Sequence, residues 1–137
     1  MKNKKIYRQR MYSLVLYSLS AMQKGIQAGH ANDVYQYKYG SKSPEFKQWI
    51  TKDLTVIVLD GGPSWALTKH TETLKKHKIQ LIEFVEPDNY NNVTAVSFLV
   101  DERVWDKETY PDLLNLDASW DKAIFLREFL SQFKLAI

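Results

Sequence analysis

Two apolar runs do most to limit how this chain can fold. Met11-Tyr12-Ser13-Leu14-Val15-Leu16-Tyr17 has one small polar interruption, and Leu54-Thr55-Val56-Ile57-Val58-Leu59 has one as well. A strand with one wet face alternates polar and apolar residues, whereas these runs are apolar at both parities, as suits strands covered on both faces. Such strands belong inside a sheet flanked by helices. Between and after them the helical signals are clear. Ser20 with Gln23 three positions on has capping-box spacing, and Met22, Ile26, Gly29, Val34 and Tyr37 recur at helical intervals, so a helix is expected over 21–39, ending at Gly40.

Pro44 is expected to open a short helix holding Phe46, Trp49 and Ile50. Asp60-Gly61-Gly62-Pro63 breaks the chain, and Ser64 can cap a helix to about His77 with Leu67, Thr71 and Leu74 inward. Strands are expected over Gln80 to Val85 and Val93 to Val100. The polar residues between them are too few for a crossover, so this pair should be antiparallel. Asp117 can cap a last helix to about Lys134, carrying Trp120, Ile124, Leu126, Phe129, Leu130 and Phe133. The stretch Asp101 to Leu116 reads as an acidic linker with Pro111. The expected architecture is three-layer α/β/α: a mixed four-stranded sheet with the last strand antiparallel, plus a C-terminal helix. The chain divides into a basic tail (1–10), a main domain (11–100), and a linker and amphipathic helix (101–137) of that same domain.

With 137 residues, 45% of them hydrophobic, one domain can bury a core without disulfide or metal staples. The absence of cysteine removes thiolate nucleophiles, zinc-thiolate sites and iron-sulfur ligation, and fits a reducing compartment. No run approaches the roughly 18 apolar residues of a spanning helix, and no small-residue cleavage pattern follows the basic N-terminus. A soluble cytoplasmic protein without membrane contact is expected. The net charge of +3 hides an asymmetry: residues 1–10 carry five basic side chains and no acid, while residues 83–128 carry eleven acidic and four basic ones. Only the first half could face a polyanion, and then modestly.

In sheets of this kind ligands gather at the carboxyl ends of the parallel strands. Three loops meet that description: Ser18 to Met22, Asp60 to Ser64, and Glu86 to Asn92. On the first helix Gln23, Gln27 and His30 fall at i, i+4 and i+7, presenting two amides and an imidazole on one face. Gly25, Ala28, Gly29 and Ala31 surround them. Small residues admit a ligand or a second backbone, or else tight helix-on-sheet packing with His30 hydrogen-bonded in the core. Asp60, Asp88, Asn89, Asn91 and Asn92 are turn formers individually, but a carboxylate and amides around one spot can position a water and bind a developing oxyanion. Gly61 and Gly62 could seat a phosphate at the next helix N-terminus or simply make a tight turn. Gly62-Pro63-Ser64-Trp65-Ala66 lacks the last glycine of a nucleophile elbow, and no histidine follows His77 to complete a triad. His70 and His77 share a helix face, but Lys69, Lys75, Lys76 and Lys78 disfavour a cation there, so no metal site is expected and that face reads as solvated surface.

The segment Gln27-Ala28-Gly29-His30-Ala31, in a helix following a buried strand, resembles the Gln-Cys-Ala-His-Ala stretch of the type 2 peptidyl-tRNA hydrolase family, the archaeal and eukaryotic kind. Trp49, the Leu67 to His77 helix, Ile79-Gln80-Leu81, the Asp88 loop and Thr94-Ala95-Val96-Ser97-Phe98 follow in the family's order, over roughly residues 11 to 100. The Gly25 to Ala31 run is expected to recur in small, phage-borne relatives. The resemblance implies cleavage of the ester between peptide and tRNA, without metal or other cofactor, by a homodimer. It places the family's glutamine on Gln27 and its loop aspartate on Asp88. The family's lysine falls on Gln23, with Lys24 about 100° further round the helix, and its loop threonine falls on Asn92. Either a small register shift restores Lys24 or the lysine is gone.

Three expectations follow. The first is a hydrolase in which Asp88 and Gln27 orient water, Lys24 or Gln23 contacts the ester or phosphate, and His30, Asn89, Asn92, Gly61 and Gly62 complete the substrate pocket. The second is a module that binds tRNA, a nucleotide or a partner protein without turnover. The third is a structural homodimer unit with a filled site.

Overall fold

A computed structural model of the chain describes residues 5–114 and 117–136. Lys2 and Lys4 of the expected tail and Leu116 of the expected linker lie outside them. The order is β1 (Gln9–Val15), α1 (Ala21–Tyr39), α2 (Pro44–Gln48), β2 (Val56–Asp60), α3 (Ser64–Lys76), β3 (Leu81–Glu86), β4 (Asn92–Asp101), α4 (Glu102–Trp105) and α5 (Ala118–Leu130). The sheet runs β2-β1-β4-β3, with β1 and β2 parallel and β4 antiparallel to both β1 and β3. Three strands therefore point one way and the last reverses between two of them, which is the α/β architecture expected from the sequence.

The two faces of the sheet carry separate cores. Met11, Val15, Ile82 and Ala95 pack with Ala28, Ala31 and Tyr35 of α1 and with Phe46 and Trp49. Tyr12, Leu14, Val96, Phe98 and Val100 pack with Leu67 and Leu74 of α3 and with Ala123, Leu126 and Phe129 of α5. The double-sided apolar run of β1 is thus explained by helices on both sides. At its centre the Ser13 and Ser97 hydroxyls satisfy each other at 2.6 Å, which removes the cost of burying either alone.

Several boundaries differ from expectation, each for a local reason. Gln9 and Arg10 belong to β1 rather than to a tail, because Gln9 and Arg10 pair with Asp101 and Val100 of β4. Ser20 caps α1, accepting from the Gln23 N–H at 3.1 Å. Gly40 stays right-handed, however, and the chain tightens into a 3-10 turn instead of ending on a left-handed cap. Leu54, expected in a strand, holds φ 56 where a π-turn over Trp49–Asp53 closes, so β2 starts later. Pro63, not Ser64, is the N-cap residue of α3, and it has no side chain to bond. The last helix ends at Leu130, and the chain then turns back along β2: Asp60 N–H donates to Lys134 O and Ala136 N–H to Val58 O, covering that sheet edge.

The expected linker is packed structure. Val104 and Leu113 are core residues, and Arg103 is only 5% exposed. Its guanidinium forks onto Asp101 (3.0 and 2.8 Å), donates to Ser119 at 2.7 Å and lies between the rings of Tyr7 and Trp120. Arg127 of α5 donates to the backbone carbonyls of Arg103, Val104, Tyr110 and Pro111, pinning the segment. Arg8 pairs with Glu102 and Asp106, and Arg10 sits 3.8 Å over the Trp105 ring. Part of the basic N-terminal charge is thus spent within the molecule on the acidic segment. Among the described residues no helix is long and apolar enough to cross a membrane.

Candidate functional site

The carboxyl ends of β1, β2 and β3 lie at one pole of the sheet with the amino end of β4, and backbone bonds there tie β1 to β2 and to β4. Gly61 N–H donates to Val15 O at 2.7 Å, Tyr17 N–H to Gly62 O at 3.0 Å, and Leu16 N–H to Thr94 O at 3.0 Å. The three loops picked out by topology converge there.

Helix α1 brings its N-terminal half to this pole, and its buried stripe is Lys24, Gln27, Ala28, Ala31 and Tyr35. Lys24 lies on the sheet-facing side with Gln27, only 9% exposed, whereas Gln23 is exposed and reaches Gln27 only at 3.5 Å. Among the described residues Lys24 forms no ion pair. Its stem is covered by the fold while its charge remains uncompensated by a carboxylate.

Gln27 is the best-defined polar side chain of the pole. Its Oε1 accepts from the buried Thr94 hydroxyl at 2.7 Å, and its Nε2 donates to Glu86 Oε2 at 3.0 Å. Glu86 Oε1 in turn accepts from the Asp88 N–H at 3.2 Å. The bond from Gln27, then the one from the Asp88 backbone, with a smaller contribution from nearby His30, holds the Glu86 carboxyl below its ordinary range. The amide orientation is fixed at both ends, so Glu86 is presented ionised at the rim.

The carboxylate joined to Gln27 is therefore Glu86. Asp88, the acid favoured from the sequence, is exposed, and only its backbone joins the network. Glu86 ends β3 and lies inside a loop already singled out, so its position was available; Thr94 was visible only as part of a strand. His30 is exposed and stacks on Phe84 at 5.0 Å, at the rim and not in the core. Asn89 and Asn92 bond each other at 3.4 Å within a turn where Tyr90 and Asn91 both take positive φ.

Gly61 and Gly62 form a tight turn. A Cβ on Gly61 would sit 2.9 Å from Leu67 Cδ1 and 3.0 Å from Val15 O, while Gly62 has φ 80 and donates to Asp60 Oδ1 at 2.9 Å. Gly25 and Gly29 differ, because nothing lies within 4 Å of a Cβ placed on either. Packing against the sheet falls to Ala28 and Ala31, and the glycines leave an open face beside the site. Tyr17, Trp65 and Tyr90 stand exposed around the same pole.

His70 is half-buried, unlike the solvated surface expected of it, whereas His77 stays exposed as expected. His70 sits edge-on to Phe129 and Phe133, and His77 stacks on Phe125 at 3.7 Å, so both help dock α3 to α5. Among the described residues no cluster of three or more histidine or acidic side chains could hold a metal ion.

No protein-family model matches the sequence, and no curated protein does. Among solved structures the chain is similar to a protein of unknown function, Atu0240, from Agrobacterium tumefaciens strain C58. The TM-score is 0.54 at 11% identity, over 95% of this chain and 98% of that one. The likeness extends through the α4 and α5 region, so it concerns the whole fold, and at this identity the fold alone.

Proposed function

We propose that the chain hydrolyses an aminoacyl or peptidyl ester on the 3′ end of tRNA, acting in the cytoplasm as a homodimer without metal or other cofactor. One observation carries the reading: Thr94, Gln27 and Glu86 form a hydrogen-bonded chain at the carboxyl pole of the sheet, with Lys24 on the same buried stripe of α1. A water accepted by the free lone pairs of Glu86 would attack the ester carbon and pass its proton to the carboxylate. Glu86 then returns that proton to the departing ribose oxygen, which leaves as the hydroxyl and restores the carboxylate. Lys24 supplies the positive charge that the carbonyl oxygen needs as it becomes an oxyanion. Asp88, Asn89 and Asn92 at the rim, and exposed Tyr17, Trp65 and Tyr90, suit unpaired bases that stack on aromatic rings. The family resemblance of the Gln27 to Ala31 segment agrees with this reading.

A second reading is a binding module without turnover. It is favoured by Gln23 standing where the resemblance expects a lysine, and by Glu86 already holding two internal donors. Incubation with N-blocked aminoacyl-tRNA decides between them. Ester loss that disappears in Glu86→Gln supports hydrolysis. Salt-dependent RNA binding without ester loss supports the module, and neither result removes RNA from both readings.

A further inference from the structure

The opposite pole of the molecule holds a cavity of about 410 Å³, at the amino end of β3 and the carboxyl end of β4. It spans both layers of helices: Tyr35 and Glu45 approach from the α1–α2 side, and Ser119, Lys122 and Leu126 from α5. The volume falls in the usual range of small-molecule sites. Its charged lining is Lys5, Lys78, Lys122 and Arg103 against Glu45 and Asp101. Arg103 and Asp101 neutralise each other in their forked pair, Lys5 lies 4.6 Å over the Tyr7 ring, and Glu45 stands beside the buried Tyr35 hydroxyl. Lys78 and Lys122 remain, exposed and without an ion pair among the described residues.

Lys78 adds an independent signal. It follows the C-cap of α3 with φ 59, its N–H bonded to Lys75 O and the next N–H to Leu74 O. This is the left-handed position that ends many helices, where glycine is unstrained and a lysine is not. Strain held at the wall of a cavity points to use of the side chain that causes it.

We propose that this cavity binds a phosphate-bearing small molecule of about mononucleotide size. The phosphate lies between Lys78 and Lys122, with the Ser119 hydroxyl and Gln80 amide as further donors. The apolar body rests on Ile79 and Leu126. Two lysine point charges suit a compact dianion, and the paired Arg103 rigidifies the wall without taking part.

Backbone amide NMR with AMP, adenosine, inorganic phosphate and citrate tests this. AMP is expected to shift the amides of Lys78, Ile79, Gln80, Ser119 and Lys122, inorganic phosphate to shift the same set more weakly, and adenosine to leave them unmoved. Lys78→Gly separates binding from folding, because it relieves the left-handed strain while removing a cation. It should melt no lower than the wild type yet bind AMP at least about tenfold more weakly, and Lys122→Gln should weaken binding similarly. The proposal is overturned by AMP shifts that centre on Lys24, Gln27 and Glu86, by none at millimolar AMP, by citrate matching AMP, or by both variants retaining full affinity. The two poles are separate, so ester hydrolysis can fail while this site stands, and the reverse.

Discussion

Gln27 donates its amide to Glu86 at 3.0 Å, joining side chains 59 positions apart, while Thr94 donates to the other end of the same amide at 2.7 Å. One residue of α1 thereby fixes the start of β4 and the end of β3. Gln27→Leu removes both bonds. Leaving the buried Thr94 hydroxyl without its partner should cost about 1–3 kcal/mol of stability in urea unfolding. The Glu86 carboxyl, now below its ordinary 4.5, should titrate closer to that value in carbon-detected NMR. The sign is fixed by the direction of the shift: a depressed carboxyl stabilises the fold above its unfolded pKa, and the gain is lost as pH falls through the folded one. The variant should therefore lack this acid-linked loss, so that the stability gap between wild type and variant narrows as pH falls below 4.5. An unmoved Glu86 midpoint would contradict the network.

Lys24 offers a cleaner separation of chemistry from folding. Its stem is covered and it forms no ion pair among the described residues, so Lys24→Met retains the packing and deletes only the ammonium. Stability should stay within about 1.5 kcal/mol of the wild type. Under the proposed hydrolysis, ester loss from N-blocked aminoacyl-tRNA should fall by about 100-fold or more, the usual effect of losing a group that meets a developing oxyanion. Full activity in this variant would remove Lys24 from the mechanism.

The sheet was legible because β1 is apolar at both parities and the β3–β4 connection is too short to cross over. Those are local properties, written in consecutive residues. Glu86 was less legible, since at the end of a strand it looks like any exposed carboxylate, and only the approach of α1 selects it over Asp88. Arg103 was hidden for a related reason. In a stretch rich in acids it reads as solvated charge, yet Asp101 two residues earlier and Ser119 from α5 satisfy it inside the fold. Long-range pairing of polar groups leaves no periodic trace, so the packed segment after β4 passed for a linker.

Arg103 therefore carries a strong prediction. It is almost fully buried, forks onto Asp101 and lies between Tyr7 and Trp120. Arg103→Ala leaves the Asp101 carboxylate uncompensated and opens a void between two rings, so stability should drop by about 3–5 kcal/mol. Arg103→Lys should recover only part of this, because an ammonium cannot fork onto a carboxylate or stack between rings. A thermal melt of both variants checks the order; equal loss would deny the forked geometry its role.

The glycines give predictions of opposite sign. Gly61→Ala drives a methyl into Val15 O and Leu67, and the backbone oxygen cannot move aside, so about 1–3 kcal/mol of destabilisation is expected. Gly25→Ala and Gly29→Ala meet open space in mid-helix and should each stabilise by about 0.5–1 kcal/mol. Denaturant midpoints of the three variants test the contrast directly. A stabilised Gly29→Ala that also loses substrate binding or self-association would show what the open face is for.

His70 should make the docking of α5 sensitive to mild acid. The ring lies edge-on to Phe129 and Phe133, and burial, then the neighbouring Lys69 charge, lower its pKa below the ordinary 6.5. A histidine held neutral in the fold binds its proton more readily when the chain unfolds. Its contribution is therefore intact above pH 6.5 and is lost as pH falls from there through the folded value. Proton NMR should place the His70 midpoint below 6.5, and the melting temperature should decline over the same interval. His70→Phe retains an aromatic ring against Phe129 and Phe133 without the titration, so its melting temperature should be flatter across that interval than that of the wild type. A decline as steep in His70→Phe would move the acid sensitivity to another group.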